Sequence, residues 1–368
     1  SGRHTRRWRS GDQYRGRHGH GGCSQVNFMT ARIFRIAVLA ALPGAFLFAQ
    51  QGKISGPVSG YVFDASAHVL RSILGIPGAA LFGSPVDFGM SVTAVSVAPR
   101  GDTAFVTASD GTFHLFQIAA GAASEINVDG LSGAPDTVVF SPAGSAAALY
   151  TGGAVQVITG LPASPSVAGQ VDLSALVNGG SHRRQFVTEA LAPRPRKDLQ
   201  TVSAPALALS DDGKFLLAAV NQSVELFGNF SDSGKLASLA GPAKVAFAPG
   251  SHDAAIGDFS GAGIVLYQDL GGAQTSRVLA ASDDAIGAAT DIAYSADGKQ
   301  LLLSSASGQS VIAFDLAGGG RQTVSCNCSP SGLSRLGDLF RLNDLGHDPL
   351  WLLDASAPRI LFVPAVSQ

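Results

Sequence analysis

Apolar and polar positions alternate in short runs along most of this chain. The stretch "VSVAPRGDTAFVTASDGTFHLFQI" (95–118) shows the unit: an apolar run, a turn, a second apolar run, a second turn and a third run. Four more stretches repeat it, at 138–161, 207–230, 245–270 and 292–316. Runs of this length with period-two alternation, punctuated by Gly, Pro, Asp and Ser, predict β-strands joined by hairpins. Nothing in these stretches has the 3.6-residue period of an amphipathic helix.

The turns set the repeat. Gly101, Gly144, Gly213, Gly250 and Gly298 hold one place in the five stretches, at intervals of 43, 69, 37 and 48 residues. "DG" and "PxG" between apolar runs are hairpin turns, because Asp and Gly tolerate positive φ. A period of about 40–45 residues with three or four strands per unit predicts the blade of a β-propeller. The first strands add detail. Val95, Val138, Leu207, Val245 and Ile292 occupy one column, and Val97, Phe140, Leu209, Phe247 and Tyr294 the column two residues on, so both point to one face. Between them stand Ser96, Val139, Ala208, Ala246 and Ala293, mostly small. A strand with a large apolar face and a small apolar face is covered on both sides, as stacked blades require.

The fold class is therefore all-β, a propeller of four-stranded blades. Residues 60–75 read as the last two strands of a blade, and 339–344, 349–356 and 359–365 supply strands at the other end. Joining the two sets in one blade closes the ring with N- and C-terminal strands and removes both sheet edges. That gives six blades, or seven if the N-terminal strands start a blade of their own. An open β-solenoid is the alternative.

The motifs "SDDGK" (210–214), "SADGK" (295–299) and "SVIAFDL" (310–316) resemble those of bacterial propeller-repeat proteins of the YVTN and lactonase-like kind. The resemblance covers about residues 54–366. It implies the propeller architecture. It does not choose an activity, since that superfamily hosts sensors, scaffolds and enzymes. The "GH…WD" signature of WD-repeats is absent from the sequence.

Composition fits short strands and tight turns. Charged residues make up 14% of the 368, against roughly 25% in an average chain, and there are 45 Gly. Residues 1–49 hold eight of the 25 basic residues and one of the 27 acids, so the remainder carries a net charge of −9. An acidic body argues against nucleic acid as the partner. Within the first segment, Arg32 and Arg35 precede an apolar run from Ile36 to Phe48, and Ala49 follows. That is the layout of a secretory signal peptide over 29–49. The run is shorter than the roughly 20 residues of a membrane span. It predicts export to the periplasm or beyond, with no stable span after cleavage. Residues 1–28 are rich in Arg, Gly and His and poor in apolar residues. They read as a disordered upstream segment foreign to the native protein, leaving 50–368 as one propeller domain.

Candidate chemistry is sparse. No GxSxG elbow occurs, and "GLSRLG" (332–337) has one residue too many. "GNFSDSGKL" (228–236) misses the phosphate-loop spacing and has Leu236 where a magnesium-holding hydroxyl belongs. Asp–Gly turns offer too few oxygens for calcium, so a structural ion on the ring axis is the one cofactor considered, and none is otherwise expected. A lactonase-like hydrolase needs a polar or metal cluster at the ring mouth, for which Asp102, His252, Asp297 and Arg341 are the candidates. Cys326 and Cys328 in "VSCNCSPSGL" are a candidate local disulfide in an oxidising compartment.

One interval is long because of an insertion at about 162–202. Within it, "SHRRQFVTEALAPRPRK" carries Arg183, Arg184, Arg194, Arg196 and Lys197 against Glu189, with Phe186 as an apolar anchor. A basic loop on an acidic body is a candidate docking element for a protein or other acidic partner. The expectation is an exported, non-catalytic propeller that binds through this loop, with the hydrolase as the rival.

Overall fold

The structure is a computed structural model, which describes residues 56–179, 204–261, 263–346 and 348–365. Seven antiparallel sheets follow one another along the chain, here blades 1 to 7: 58–85, 92–126, 137–172, 206–238, 243–280, 289–325 and 334–363. Blades 2 to 7 have four strands each, and blade 1 has three among the described residues. The architecture is a seven-bladed propeller.

The composite closing blade does not form. Val58–Asp64 and Val69–Leu74 pair with each other and then with Leu81–Pro85, the next strand along the chain. The C-terminal strands from Ser334 to Val363 pair among themselves. Each terminal segment finds its hydrogen-bond partners locally, as consecutive strands usually do. The ring closes by packing instead. Val62, Ile73 and Ala80 of blade 1 share a core with Leu336, Leu339, Leu345, Leu350, Leu352 and Val363 of blade 7. Asp64 bridges Leu345, and the Gly337 N–H donates to Pro99 of blade 2 at 2.6 Å.

Every blade-to-blade junction has its own apolar cluster, seven in all. The alternation along each strand divides its side chains between two of them. In blade 4, Leu216, Ala218 and Val220 face blade 3, while Leu217 and Ala219 face blade 5. The first strands divide by size as well. Leu207 and Leu209 point back to blade 3, and Ala208 points forward to blade 5. Val245 and Phe247 point back to blade 4, with Ala246 forward; Ile292 and Tyr294 point back to blade 5, with Ala293 forward. Large residues of one blade thus meet small residues of the blade before it. This lets inner strands approach closely where the wedge between blades is narrowest. A leucine fully buried in such a junction contributes about 2–3 kcal/mol.

The five repeat glycines all take left-handed backbone, with φ of 72°, 70°, 72°, 69° and 71° at Gly101, Gly144, Gly213, Gly250 and Gly298. Each follows its blade's inner strand, so these turns gather at one end of the ring, the turn end. The other end, where inner strands begin, is the mouth. At the turn end Asp212 accepts the Ser210 hydroxyl at 2.7 Å and the Lys214 N–H at 3.1 Å. Asp297 repeats this with Ser295 and Lys299 at the same distances. Asp211 acts differently. Its carboxylate accepts the Ala143 N–H of blade 3 at 2.6 Å and the Gly250 N–H of blade 5 at 2.7 Å, stapling three blades.

Candidate functional site

The inner strands surround a cavity of about 460 Å³ on the ring axis. Blades 2 to 5 give it an apolar and small-residue wall, including Val95, Val138, Phe140, Leu207, Ala208 and Phe247. Among the described residues its charged lining comes from blades 6 and 7: Asp291, Arg335 and Arg341. The wall is therefore chemically lopsided, although the backbone repeats around it.

Asp291 precedes Ile292, the first large residue of the blade 6 inner strand. Ala94, Thr137 and Ala206 hold that place in blades 2, 3 and 4, and Lys244 holds it in blade 5. The Asp291 carboxyl accepts the Ile292 N–H and the Leu333 N–H, both at 3.0 Å, which ties blade 6 to the start of the blade 7 inner strand. Burial pushes its pKa above the usual carboxylate range, against the pull of Lys244 and of those two N–H groups. Beside it, the Thr290 hydroxyl contacts Ser304 Oγ at 2.8 Å and the Pro330 carbonyl at 3.1 Å.

Arg335 is on the short inner strand Ser334–Leu336 of blade 7. Its Nε donates to the Gly337 carbonyl and its Nη1 to the Pro142 carbonyl, each at 2.9 Å. Pro142 belongs to the turn of blade 3, as far from blade 7 as a ring of seven permits. Arg335 is thus a crossbar over the turn end of the cavity. Burial lowers its pKa, partly offset by attraction to Asp338 and Asp211. Arg341, on the next strand, donates to Ser334 Oγ at 3.3 Å and pairs with Asp344 at 3.1 Å. The Asp344 side chain is 85% exposed, whereas that of Arg341 is 24% exposed.

The hydrolase candidates do not come together. Asp102 pairs with Arg100 at 2.8 Å, His252 with Asp212 at 3.1 Å and Asp297 with Lys299 at 3.2 Å, each on its own part of the turn end. Arg341 alone lines the cavity. Among the described residues no group of three His, Cys, Asp or Glu is placed to hold a metal ion. "GLSRLG" is the blade 7 inner strand with its flanks, and "GNFSDSGKL" is the hairpin between Ser223–Gly228 and Asp232–Ser238.

Arg183, Arg184, Phe186, Arg194, Arg196 and Lys197 lie outside the described residues, as do the segments 1–28 and 29–49. The outer strand of blade 3, Ser166–Asp172, falls inside the stretch read as insertion, so the extra chain follows it. A short helix, Ser174–Gly179, leads into the undescribed segment, and the chain returns at Ala204 before the blade 4 inner strand. Both flanks therefore lie at the mouth. Cys326 and Cys328 are bonded, with Cα atoms 5.2 Å apart. They follow the outer strand Arg321–Ser325 rather than sitting on it, and Cys328 is buried in the junction of blades 6 and 7. No helix among the described residues is long and apolar enough to cross a membrane.

A column-by-column reading of the repeat would have found Asp291, since it and Lys244 break a column of small uncharged residues. Arg335 has no such signal, because blade 7 departs from the repeat in length and sequence.

No protein-family model and no curated protein matches the chain. Solved structures do. A "putative 6-phosphogluconolactonase" from Bacteroides fragilis is 16% identical, with a TM-score of 0.51 over 83% of this chain and 92% of its own. A protein from Lactobacillus plantarum is 15% identical, with a TM-score of 0.52 over 83% and 95%. A second "putative 6-phosphogluconolactonase", from Bacteroides uniformis, is 14% identical, with a TM-score of 0.51 over 82% and 93%. At these identities the likeness is one of fold alone.

Proposed function

We propose that this chain is an exported, non-catalytic propeller that serves as a binding scaffold, engaging its partner at the mouth of the ring. The observation that carries this reading is how the cavity charges are used. Arg335 is held by two carbonyls and Asp291 by two N–H groups, so both act as fasteners between blades. A rigid ring that presents loops at its mouth suits binding. The basic stretch 181–197 joins the ring there and carries net charge opposite to the body. Export rests on the charge and apolar layout of 29–49. The test is retention of envelope proteins from the native host on the immobilised chain, beside a variant with Arg183, Arg184, Arg194, Arg196 and Lys197 changed to Glu. A specific partner held by the first and lost by the second supports the reading. Equal retention by both refutes the loop as the site.

The second reading is a lactonase-like hydrolase. It is favoured by the fold likeness to two proteins described as putative 6-phosphogluconolactonases and by Asp291, whose raised pKa suits proton transfer. Lactone hydrolysis by the chain, abolished in Asp291→Asn, would establish it. No turnover above buffer would dismiss it.

A further inference from the structure

The cavity itself has the chemistry of a ligand site, and this inference goes beyond the loop-mediated docking proposed above. Its volume is in the range of small-molecule pockets, and its walls present polar and apolar surface in about equal measure. The apolar part is offered by the half-buried Val95, Val97, Val138 and Phe140 of blades 2 and 3, whereas Leu207, Leu209, Val245 and Phe247 of blades 4 and 5 are buried in the junctions. The basic part is one patch on blade 7: the Ser334 hydroxyl with the Arg341 guanidinium 3.3 Å away, and Arg335 beside them in sequence. Two guanidinium groups line the cavity against one carboxyl, that of Asp291.

The two arginines differ in what they have left to offer. Arg335 is fixed across the ring by Gly337 and Pro142. Arg341 is mostly buried, yet its ionic partner is Asp344, a carboxylate almost fully in solvent. An exposed ion pair of this kind is worth about 1 kcal/mol or less. A carboxylate entering from the mouth can replace Asp344 with little loss. It would gain a charge-assisted, planar two-oxygen contact with the guanidinium, plus the Ser334 hydroxyl. Whatever body it carries would then lie against the valines and Phe140 of blades 2 and 3.

We propose that the channel binds an amphipathic carboxylate, with its acid group on Arg341 and Ser334 and its apolar body against blades 2 and 3. The crossbar of Arg335 closes the far end, so the ligand enters and leaves at the mouth. The ligand is thus of a different class from the one the lactonase reading calls for, in the same cavity.

The experiment is calorimetric titration of the full chain with decanoate, decanol and glucose 6-phosphate, below the micellar range of decanoate. Saturable one-to-one binding of decanoate is expected. Decanol and glucose 6-phosphate should each bind at least tenfold more weakly. Arg341→Gln should weaken decanoate at least tenfold. Asp344→Asn should tighten it about threefold, and that position is exposed enough to leave folding intact even if Arg341→Gln does not. No saturable decanoate binding overturns the proposal. So does decanol bound as tightly as decanoate, or affinity unmoved in Asp344→Asn and Arg341→Gln alike. Partner capture through the basic loop is read in a separate assay, so either proposal can fail without the other.

Discussion

Asp211 offers the sharpest test of how the ring is held. It is the first acid of "SDDGK", and its place in blade 6 is taken by Ala296. Replacing it with alanine removes two short hydrogen bonds from a carboxylate, one to blade 3 and one to blade 5. Hydrogen bonds to a charged group contribute about 1.5–3 kcal/mol each. Gly250 is exposed, so water replaces its lost partner, whereas Ala143 is half-buried and is compensated less well. The expected loss is therefore about 2 kcal/mol, below the sum of two full bonds. With an unfolding entropy of about 2.1 cal/mol/K per residue, a ring of this size loses ~3 °C of melting temperature. Asp297→Ala is the comparison. Its carboxylate closes only its own turn and its side chain is 54% exposed, so about 0.5–1 kcal/mol is expected. Thermal melts followed by circular dichroism give the totals. Amide hydrogen exchange gives the location, with Ala143 and Gly250 losing protection in Asp211→Ala and not in Asp297→Ala. A loss under 0.5 kcal/mol, or unchanged exchange at those two amides, would refute the stapling argument.

Three further outcomes follow from the same geometry. Gly213→Ala and Gly298→Ala both place a side chain at positive φ, costing about 1 kcal/mol, but at Gly213 the new methyl also collides with Thr159, so its urea midpoint should fall by about twice as much. For Asp212, burial alone would raise the pKa, yet hydrogen bonds from Ser210 and the Lys214 N–H, then His252, bring it down to about 2. Its folded pKa lies below its unfolded one, so its contribution is present above about pH 4 and is lost as pH falls toward 2; after discounting for its partial exposure this is about 1 kcal/mol, and urea melts across that range should show it vanish in Asp212→Asn. Reducing the Cys326–Cys328 bond opens a loop of only three residues, so dithiothreitol should lower stability by less than ~2 kcal/mol, and a larger drop would mean the bond holds the blade 6–7 junction together.

The propeller was legible because its signal is redundant. Five turn glycines, two apolar columns and one small column each state the same period, and all five glycines share one backbone conformation in the structure. The blade count was harder. The sequence pattern shows which segments are strands, but whether Val58–Asp64 pairs with Val69–Leu74 and Leu81–Pro85 alone, or also with C-terminal strands, depends on long-range packing that no local pattern encodes. The candidate site was only partly legible for a related reason. Motif spacing drew notice to "GLSRLG" as a failed nucleophile elbow, while the chemistry at Ser334 and Arg335 comes from its being an inner strand that faces the axis. Arg341 was named among candidates for hydrolysis, yet its partners in the fold are Ser334 and Asp344 rather than His252 or Asp297.

A ring of near-equivalent blades has no architectural need for charge on one arc of its channel. The inner strands of blades 2 to 4 manage with alanine or threonine where blade 6 has Asp291. Part of the charge in blades 6 and 7 can be assigned to assembly. Blade 7 has short inner strands, three residues each, and so offers few backbone bonds and little apolar surface to hold its place. Asp291 and Arg335 compensate, one anchoring the start of that inner strand and the other tying it across the ring to blade 3. Arg341 has no such task. Its bonds are to a hydroxyl on its own blade and to a carboxylate in solvent, and neither joins one blade to another. Its guanidinium is thus placed at the cavity wall without serving assembly. Among the charges that line the channel, Arg341 is therefore the one whose position is best explained by something that enters from the mouth.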